Sequence, residues 1–480
     1  MAIINGDSSN NLLVGTIEND EIYGKRGRDT IEPLDGSDYV NGGGGKDVAI
    51  LDYSMVDTAY GVSAYLENYD GYSYGSVSYE LTYDPYYDPY YDEYYDPYLD
   101  PYYDPYYDYY GYESDTLENI EELQITGTYL NDTIEIYGKG NDIINAGDGD
   151  DYINAGEGID VIDGGFGYDV LASLNLSNST EDLNIMLGEE INLSLANGMS
   201  IAGIEQINNL TTGRGNDSIS LAAMDSYYGG YYGDYYGDYY YDDGYRYVDS
   251  GGGKDTIEAV TSTAGSLTID AGNKNDVIIL EATNNYDYYN YGYGGYNYIN
   301  GGNGNDLAIL DYSMVDTSYG ISAYLENYDG YSYGSVSYES YDSYYYDPYL
   351  DPYYDPYYDE YYDPYYDEYY DYYGYQSDSF ENIEQFEITG TYLNDEIVIN
   401  GEGNDIINAG DGDDYIDAGE GIDVIDGGFG YDVLASVNLS NSTEDLNIML
   451  GEEINLSLAN GMSIAGIEQI NSLTTGSGND

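Results

Sequence analysis

Four aspartates, Asp142, Asp151, Asp160 and Asp169, stand nine residues apart. A glycine lies two residues before each (Gly140, Gly149, Gly158, Gly167), and an aliphatic residue two after (Ile144, Ile153, Ile162, Leu171). Written in nines, residues 137–172 read YGKGNDIIN, AGDGDDYIN, AGEGIDVID, GGFGYDVLA. Glycine permits positive φ and a tight turn. The triplet around each aliphatic is a short extended step whose central side chain points to one face. A strand this short does not stand alone, so the repeats must stack and bury their aliphatics together.

Stacking brings the aspartates together. Neighbouring strands lie about 4.8 Å apart, inside the Debye length of about 8 Å at physiological salt. Two carboxylates at that separation repel by roughly 0.8 kcal/mol at the dielectric of water and by more below it. A row of them calls for a cation, and calcium, with its flexible shell of 6–8 carboxylate and carbonyl oxygens, suits the place. The alternative is an acidic, glycine-rich surface loop that holds no ion.

The pattern G-G-x-G-x-D-x-U-x resembles the RTX, or haemolysin-type, calcium-binding nonapeptide family. The resemblance implies an all-β fold: right-handed parallel β-roll or β-solenoid blocks, two nonapeptides to a coil, with Ca2+ between stacked loops. It also implies a bacterial secreted or surface protein that leaves the cell by a type I route without a cleaved N-terminal signal. The N-terminus MAIINGDSSNNLLVG lacks the basic and apolar regions of a cleaved signal, which given the resemblance does not argue for a cytoplasmic protein. The sequence stops at Asp480 inside TGSGND, which reads as a partial chain.

Composition narrows the chemistry. Among 480 residues, 93 are acidic and 9 basic, a formal net charge of −84. Nucleic acid and anionic membranes are disfavoured as partners, because binding phosphates takes Lys and Arg. There is no Cys and no His, which removes thiolate sites, H-E-x-x-H zinc sites and Ser-His-Asp triads. No apolar run is long enough to suggest membrane insertion by a helix. Gly71–Gly75 and Gly330–Gly334 fit G-x-S-x-G, but that elbow needs a His partner and a strand-to-helix turn.

Residues 1–50 form a first, degenerate block. Asp20, Asp29, Asp38 and Asp47 keep the period and Asn11 holds the preceding slot, while Glu18 and Pro33-Leu34 stand where glycines belong. Weaker calcium sites are expected here, with Lys25, Arg26 and Arg28 partly neutralising the Asp29 turn. Residues 51–132 are a connecting β segment carrying a Tyr/Asp/Pro-rich insertion at 83–112, and 133–172 is the strong block. A second connecting segment spans 173–220. Residues 221–306 hold Tyr/Gly-rich stretches and isolated motifs, GGGKD at 251–255 and those ending at Asp276 and Asp306; Asp217 restarts the motif before them. The rest repeats what came before. Residues 301–339 match 42–80 at an offset of 259, and from 374 the offset from 111 is 263, so one tyrosine tract has gained a tetrad. The second copy comprises a connecting segment at 307–395 with its insertion at 341–375, a strong block at 396–435 and a connecting segment at 436–480. Its metal candidates are Asp405, Asp414, Asp423 and Asp432 with Gly403, Gly412 and Gly421. The connecting segments are expected to continue the solenoid without calcium; a separate small β-sandwich is the alternative.

The tyrosine tracts admit three readings: an expanded acidic loop without function, a sticky surface, or a substrate for dityrosine cross-linking. For the whole chain the expectation is calcium binding, with calcium-induced folding of a secreted or cell-surface structural or adhesive protein. Cell-surface or extracellular matrix components are the further partners expected, and no catalysis. The alternative is a secretion and folding module of a larger enzyme whose catalytic domain lies outside this chain.

Overall fold

The computed structural model describes residues 1–69, 72–81, 111–187, 190–221, 245–261, 266–283, 295–315, 317–328, 331–343, 371–440, 442–443, 448 and 453–478. Most of the two Tyr/Asp/Pro-rich insertions, for which an expanded acidic loop was one reading, lies outside these residues, at 83–110 and 344–370. Among the described residues every element is a strand. The eight sequence blocks gather into two compact units, Met1–Asn175 with Met186–Asn209, and Leu176–Ile185 with Leu210–Asp480.

In the first unit successive strands alternate between two sheets. One sheet runs in the order 12–14, 30–32, 48–52, 122–126, 143–148, 161–166, 200–204, 191–194, parallel except for its last pair. In the other, Ile3–Asn5, Glu21–Tyr23 and Tyr39–Asn41 pair in parallel, as do Thr133–Gly138, Tyr152–Asn154 and Val170–Asn175. Alternation follows from the period: nine residues make half a coil, so strands 18 residues apart are neighbours. Register therefore stacks Ile144 on Ile162 and Ile153 on Leu171. Each of these aliphatics is buried, as the x-U-x pattern requires. Burying one is worth about 1.5–3 kcal/mol.

The connecting segment continues the solenoid. Val48–Asp52 pairs in parallel with Glu122–Thr126 on the first sheet. On the second, Ser63–Tyr69, Tyr72–Leu81 and Gly111–Glu118 form an antiparallel meander between Tyr39–Asn41 and Thr133–Gly138. The chain thus leaves the nine-residue rhythm, places three strands where a nonapeptide places one, and returns in register. The second unit repeats the device with Ser322–Tyr328, Tyr331–Ser343 and Asp371–Glu381. Residues 111–112, 341–343 and 371–375, assigned to the insertions from sequence, belong to these strands, because cross-strand pairing extends into the tyrosine-rich ends.

The turns explain the glycines. The residue four before each strong-block aspartate has positive φ, +116° at Gly147 and +104° at Gly165. In the degenerate block that slot is filled by Lys25 (φ 76°) and Leu34 (φ 71°), a conformation that costs an L-residue roughly 1–2 kcal/mol. Leu34 is exposed, so its side chain recovers little by burial. Leu34→Gly is therefore expected to raise stability by roughly 0.5–1 kcal/mol, the relief of strain less the entropy of glycine. Gly147→Ala, whose Cβ would meet the Thr128 carbonyl oxygen at 2.0 Å, should lower it. Thermal unfolding in calcium measures both; a lower melting temperature for Leu34→Gly would contradict the strain argument.

Candidate metal centre

Every nonapeptide aspartate sits at the start of a strand and makes one contact of fixed form. Its Oδ1 accepts a backbone N–H from the coil before it, that of an aspartate within a block and that of Leu123, Leu183 or Phe386 at Asp142, Asp217 or Asp405, where a block begins. Asp142 donates to Asp160 at 2.9 Å, and Asp151 to Asp169 at 2.9 Å. In the first block Asp20 donates to Asp38 at 2.6 Å and Asp29 to Asp47 at 2.7 Å. Because repeats alternate between sheets, the unit carries two such columns, one along each edge. Asn11 begins one of them, donating to Asp29.

The second unit is built alike. Asp405 donates to Asp423 and Asp414 to Asp432. The motifs that look isolated in sequence are not isolated in the fold. Asp217 donates to Asp255, Asp255 to Asp276 and Asp276 to Asp306, each at 2.8 Å. They form one column although 38, 21 and 30 residues separate them in turn. A column counts coils, and insertions between strands leave that count unchanged.

The other carboxylate oxygen is what makes these columns a candidate centre. Oδ2 is buried and without a hydrogen-bond partner at Asp29, Asp38, Asp47, Asp142, Asp151, Asp169, Asp217, Asp255, Asp276, Asp306, Asp405, Asp414 and Asp432. None of these residues is more than 3 % exposed. A buried polar atom without a partner costs on the order of 1–3 kcal/mol, and more when charged. Glycine keeps the surrounding space open. A Cβ on Gly140 would lie 2.3 Å from Oδ2 of Asp142, and one on Gly403 would lie 2.7 Å from Oδ2 of Asp405. At Gly158 and Gly421 a Cβ would also strike the carbonyl oxygen of Gly140 or Gly403, one coil back, and at Gly167 and Gly430 that of Gly149 or Gly412.

The donor set is carboxylate and backbone carbonyl oxygen, with no nitrogen or sulfur. Among the described residues no three acidic side chains converge on one point, so column carboxylates would hold an ion here together with glycine-loop carbonyls. Calcium accepts such a mixed oxygen shell. The residues fit it: bound calcium supplies the positive charge that the paired carboxylates lack.

Electrostatics agree with the geometry. Burial, partly offset by the donated N–H and reinforced by neighbouring carboxylates, pushes Asp142 and Asp169 up to about 7 and Asp151 to about 8. Asp405 and Asp414 reach about 7 for the same reasons. Burial raises Asp276 and Asp306 to about 7, and Asp160 and Asp423 to about 6.

Some column members carry their own partners. At Asp20, burial acts upward, but donors from Ala2 and from the Thr16 N–H and hydroxyl outweigh it and hold the carboxyl below its usual range. Asp132 and Asp395, missed in the sequence, occupy column positions with Thr128 and Thr391 as donors to both oxygens. Their signal is the T-x-x-N-D form, where threonine replaces the glycine four before the aspartate. Asp115 also joins a column, accepting the Asp38 N–H on Oδ1 and the Tyr53 hydroxyl on Oδ2.

A second missed set precedes the aspartates. Oδ1 of Asn141 accepts the N–H of Ile159, Asp150 that of Tyr168, and Asn404 that of Ile422, each one coil later. The N-D and D-D dipeptides thus bind both neighbouring coils. The cations expected to neutralise the Asp29 turn do otherwise: no ion pair joins Lys25, Arg26 or Arg28 to it among the described residues, and Lys25 Nζ donates to the Gly6 carbonyl. The reason is position, since the Asp29 carboxylate turns inward and is buried while these side chains leave the turn. Ser73 of the G-x-S-x-G sequence is fully buried in a strand and accepts the Ile120 N–H.

No curated protein matches the chain. The family model described as RTX calcium-binding nonapeptide repeat (4 copies) matches it at residues 5–40, 14–49, 136–171 and 399–434. These matches cover the first block and the two strong blocks, where the aspartate columns are most regular. The chain carries RTX calcium-binding nonapeptide repeats, folded as parallel β-rolls.

Proposed function

We propose that calcium is the folding switch of this protein, and that the folded chain is a secreted or cell-surface structural or adhesive component without catalytic activity. The observation that carries the first part is the buried Oδ2 without a partner, recurring along the columns of both units. Without a divalent cation, each ionised member is a desolvated charge beside others of the same sign, an arrangement costing several kcal/mol per ion. At a net charge of −84, the unfolded chain is the state that relieves this repulsion. Calcium reverses the balance because it binds only where two coils are stacked, so binding free energy becomes folding free energy. Millimolar extracellular calcium against low intracellular calcium then gives a chain that is unfolded during export and folded outside.

The structural or adhesive role is supported by the repeat architecture and by the chemistry of the columns, whose Oδ1 atoms serve coil stacking and whose Oδ2 atoms suit a cation. No helix among the described residues is long and apolar enough to cross a membrane. The outer face presents exposed tyrosines, including Tyr65, Tyr72, Tyr74, Tyr324 and Tyr333, groups suited to contact surfaces through an apolar ring with a hydrogen-bonding tip.

Calcium titration of the intact chain, followed by far-UV circular dichroism with magnesium as control, tests the switch. A cooperative gain of β signal in calcium alone is expected; the same spectrum in calcium and in chelator would overturn it. Asp151→Asn and Asp414→Asn together should shift the midpoint to higher calcium by roughly tenfold or more, since each removes a charge from the middle of a column.

Acidity gives an independent check. The column carboxyls are raised in the folded state, so the metal-free fold is favoured where they are protonated and loses that stability as pH rises through about 6–8. In chelator, β signal should therefore fall between pH 5 and pH 8. Calcium affinity should rise over the same interval, because the ion displaces those protons. Equal β content in chelator at both ends would contradict the assignment of these groups.

A further inference from the structure

Four times among the described residues an aspartate column reaches a residue that no longer has a nonapeptide aspartate behind it, and each time a glutamate takes the place. The N–H of Asp47 donates to Oε2 of Glu121, Asp169 to Glu205, Asp306 to Glu384 and Asp432 to Glu468, all at 2.8 Å. The rest of the contact recurs as well. The aspartate carbonyl accepts two successive N–H groups, those of the glutamate and of the residue after it. The residue two before the glutamate is in the left-handed region, φ 52° at Asn119 and 58° at Gly203, with 54° and 59° at their copies Asn382 and Gly466. The isoleucine between is fully buried in every case. The duplication makes two of the four copies of the others, but within one copy the device occurs twice, once on each edge.

We propose that these four Asp–Glu pairs are additional calcium sites, in which Glu121, Glu205, Glu384 and Glu468 serve as closing ligands. The proposal rests on the calcium reading of the columns. Two observations point to an ion rather than to a simple cap. Each of the four aspartates is 0 % exposed, with an Oδ2 that has no partner. That oxygen faces a glycine cradle shared with a backbone carbonyl. A Cβ on Gly42 would meet Oδ2 of Asp47 at 2.8 Å and the Asn119 carbonyl oxygen at 2.2 Å, and a Cβ on Gly164 would meet Oδ2 of Asp169 at 2.6 Å and the Gly203 carbonyl oxygen at 1.9 Å. The positive φ at Asn119 or Gly203 is thus accompanied by a carbonyl placed at the open oxygen.

Capping an N–H takes one neutral acceptor, which Gln supplies as well as Glu. A carboxylate strengthens the hydrogen bond to the N–H, but beside a buried carboxylate it also adds repulsion, which a divalent cation shared by the two removes. Asp Oδ2, a backbone carbonyl and a half-buried glutamate form an all-oxygen set suited to calcium, with water free to complete the shell. Such a site would also fasten the return of an insertion, since Glu121 follows Asp47 by 74 residues and Glu384 follows Asp306 by 78.

Equilibrium dialysis of the intact chain against radioactive calcium tests this, comparing the natural sequence with the quadruple variant E121Q/E205Q/E384Q/E468Q. Gln keeps the acceptor for the aspartate N–H and removes only the charge. The variant is expected to regain the full β signal in calcium while binding four fewer ions. An unchanged number of ions with unchanged half-saturation overturns the proposal and leaves the column sites standing. No calcium bound by the natural chain overturns the calcium reading itself. Should the quadruple variant fail to fold, E205Q and E468Q are measured singly, each expected to lose one ion; retention of that ion by both counts against the closing sites.

Discussion

The structure depends on an aspartate with two unlike oxygens. One accepts the N–H of the coil before it and so sets the stacking distance. The other is buried with nothing to bind. The first oxygen explains the period: a donor and an acceptor 18 residues apart, such as Asp142 and Asp160, meet only if two nonapeptides make one turn of the roll. The second explains the glycines, because the space around it closes if a Cβ is added at Gly140 or Gly403. Fold and metal chemistry are therefore one constraint. A chain with alanine for glycine or leucine for aspartate would lose both at once.

The same constraint divides what can be read in the sequence from what cannot. Asp151 and Asp414 were legible because their flanks keep the period, with glycine two before and isoleucine two after. Asp132 and Asp395 were not, although they hold equivalent places, because leucine stands two before them and the threonine four before donates to the carboxylate from both its N–H and its hydroxyl. A rule written for turns that hold a cation passes over turns that hold themselves. The motif ending at Asp255 was read as isolated, and its place in a column was hidden for another reason. It stands 38 residues after Asp217 and 21 before Asp276, and pairing in a roll is fixed by coil number, which sequence distance does not report once loops intervene. The connecting segment was correctly expected to be β and to continue the solenoid, but its antiparallel meander pairs residues across the tyrosine tract, such as Tyr79 and Glu113, 34 residues apart.

At some column positions the protein supplies the missing donor itself. Asp115 receives the Tyr53 hydroxyl at 2.8 Å, and Asp378 in the second copy receives that of Tyr312 at 2.7 Å. Both tyrosines are buried and packed edge-on against a second tyrosine, Tyr79 or Tyr338. These positions lie in the meanders, where the strand has a parallel neighbour on one side and an antiparallel one on the other and the glycine turn is absent. Satisfaction by hydroxyl in the meanders, by threonine in the T-x-x-N-D turns and by a cation in the glycine turns are three answers to one problem, the buried carboxylate.

The duplication gives a natural comparison of how far such a frame tolerates insertion. The second tyrosine tract is one tetrad longer than the first. Even so, the contact that follows each tract is the same: Asp47 to Glu121 and Asp306 to Glu384, both at 2.8 Å, across 74 and 78 residues. Four added residues have changed neither donor, acceptor nor distance. Closing a loop costs only about (3/2)RT ln n, so lengthening it from 74 to 78 residues changes the free energy by less than about 0.1 kcal/mol. Against that stands a buried contact whose loss would strand a charge. The frame is thus indifferent to tract length and sensitive to the few atoms at each column step, which is why the aspartates, glutamates and their glycines stay in place while the sequence between them expands.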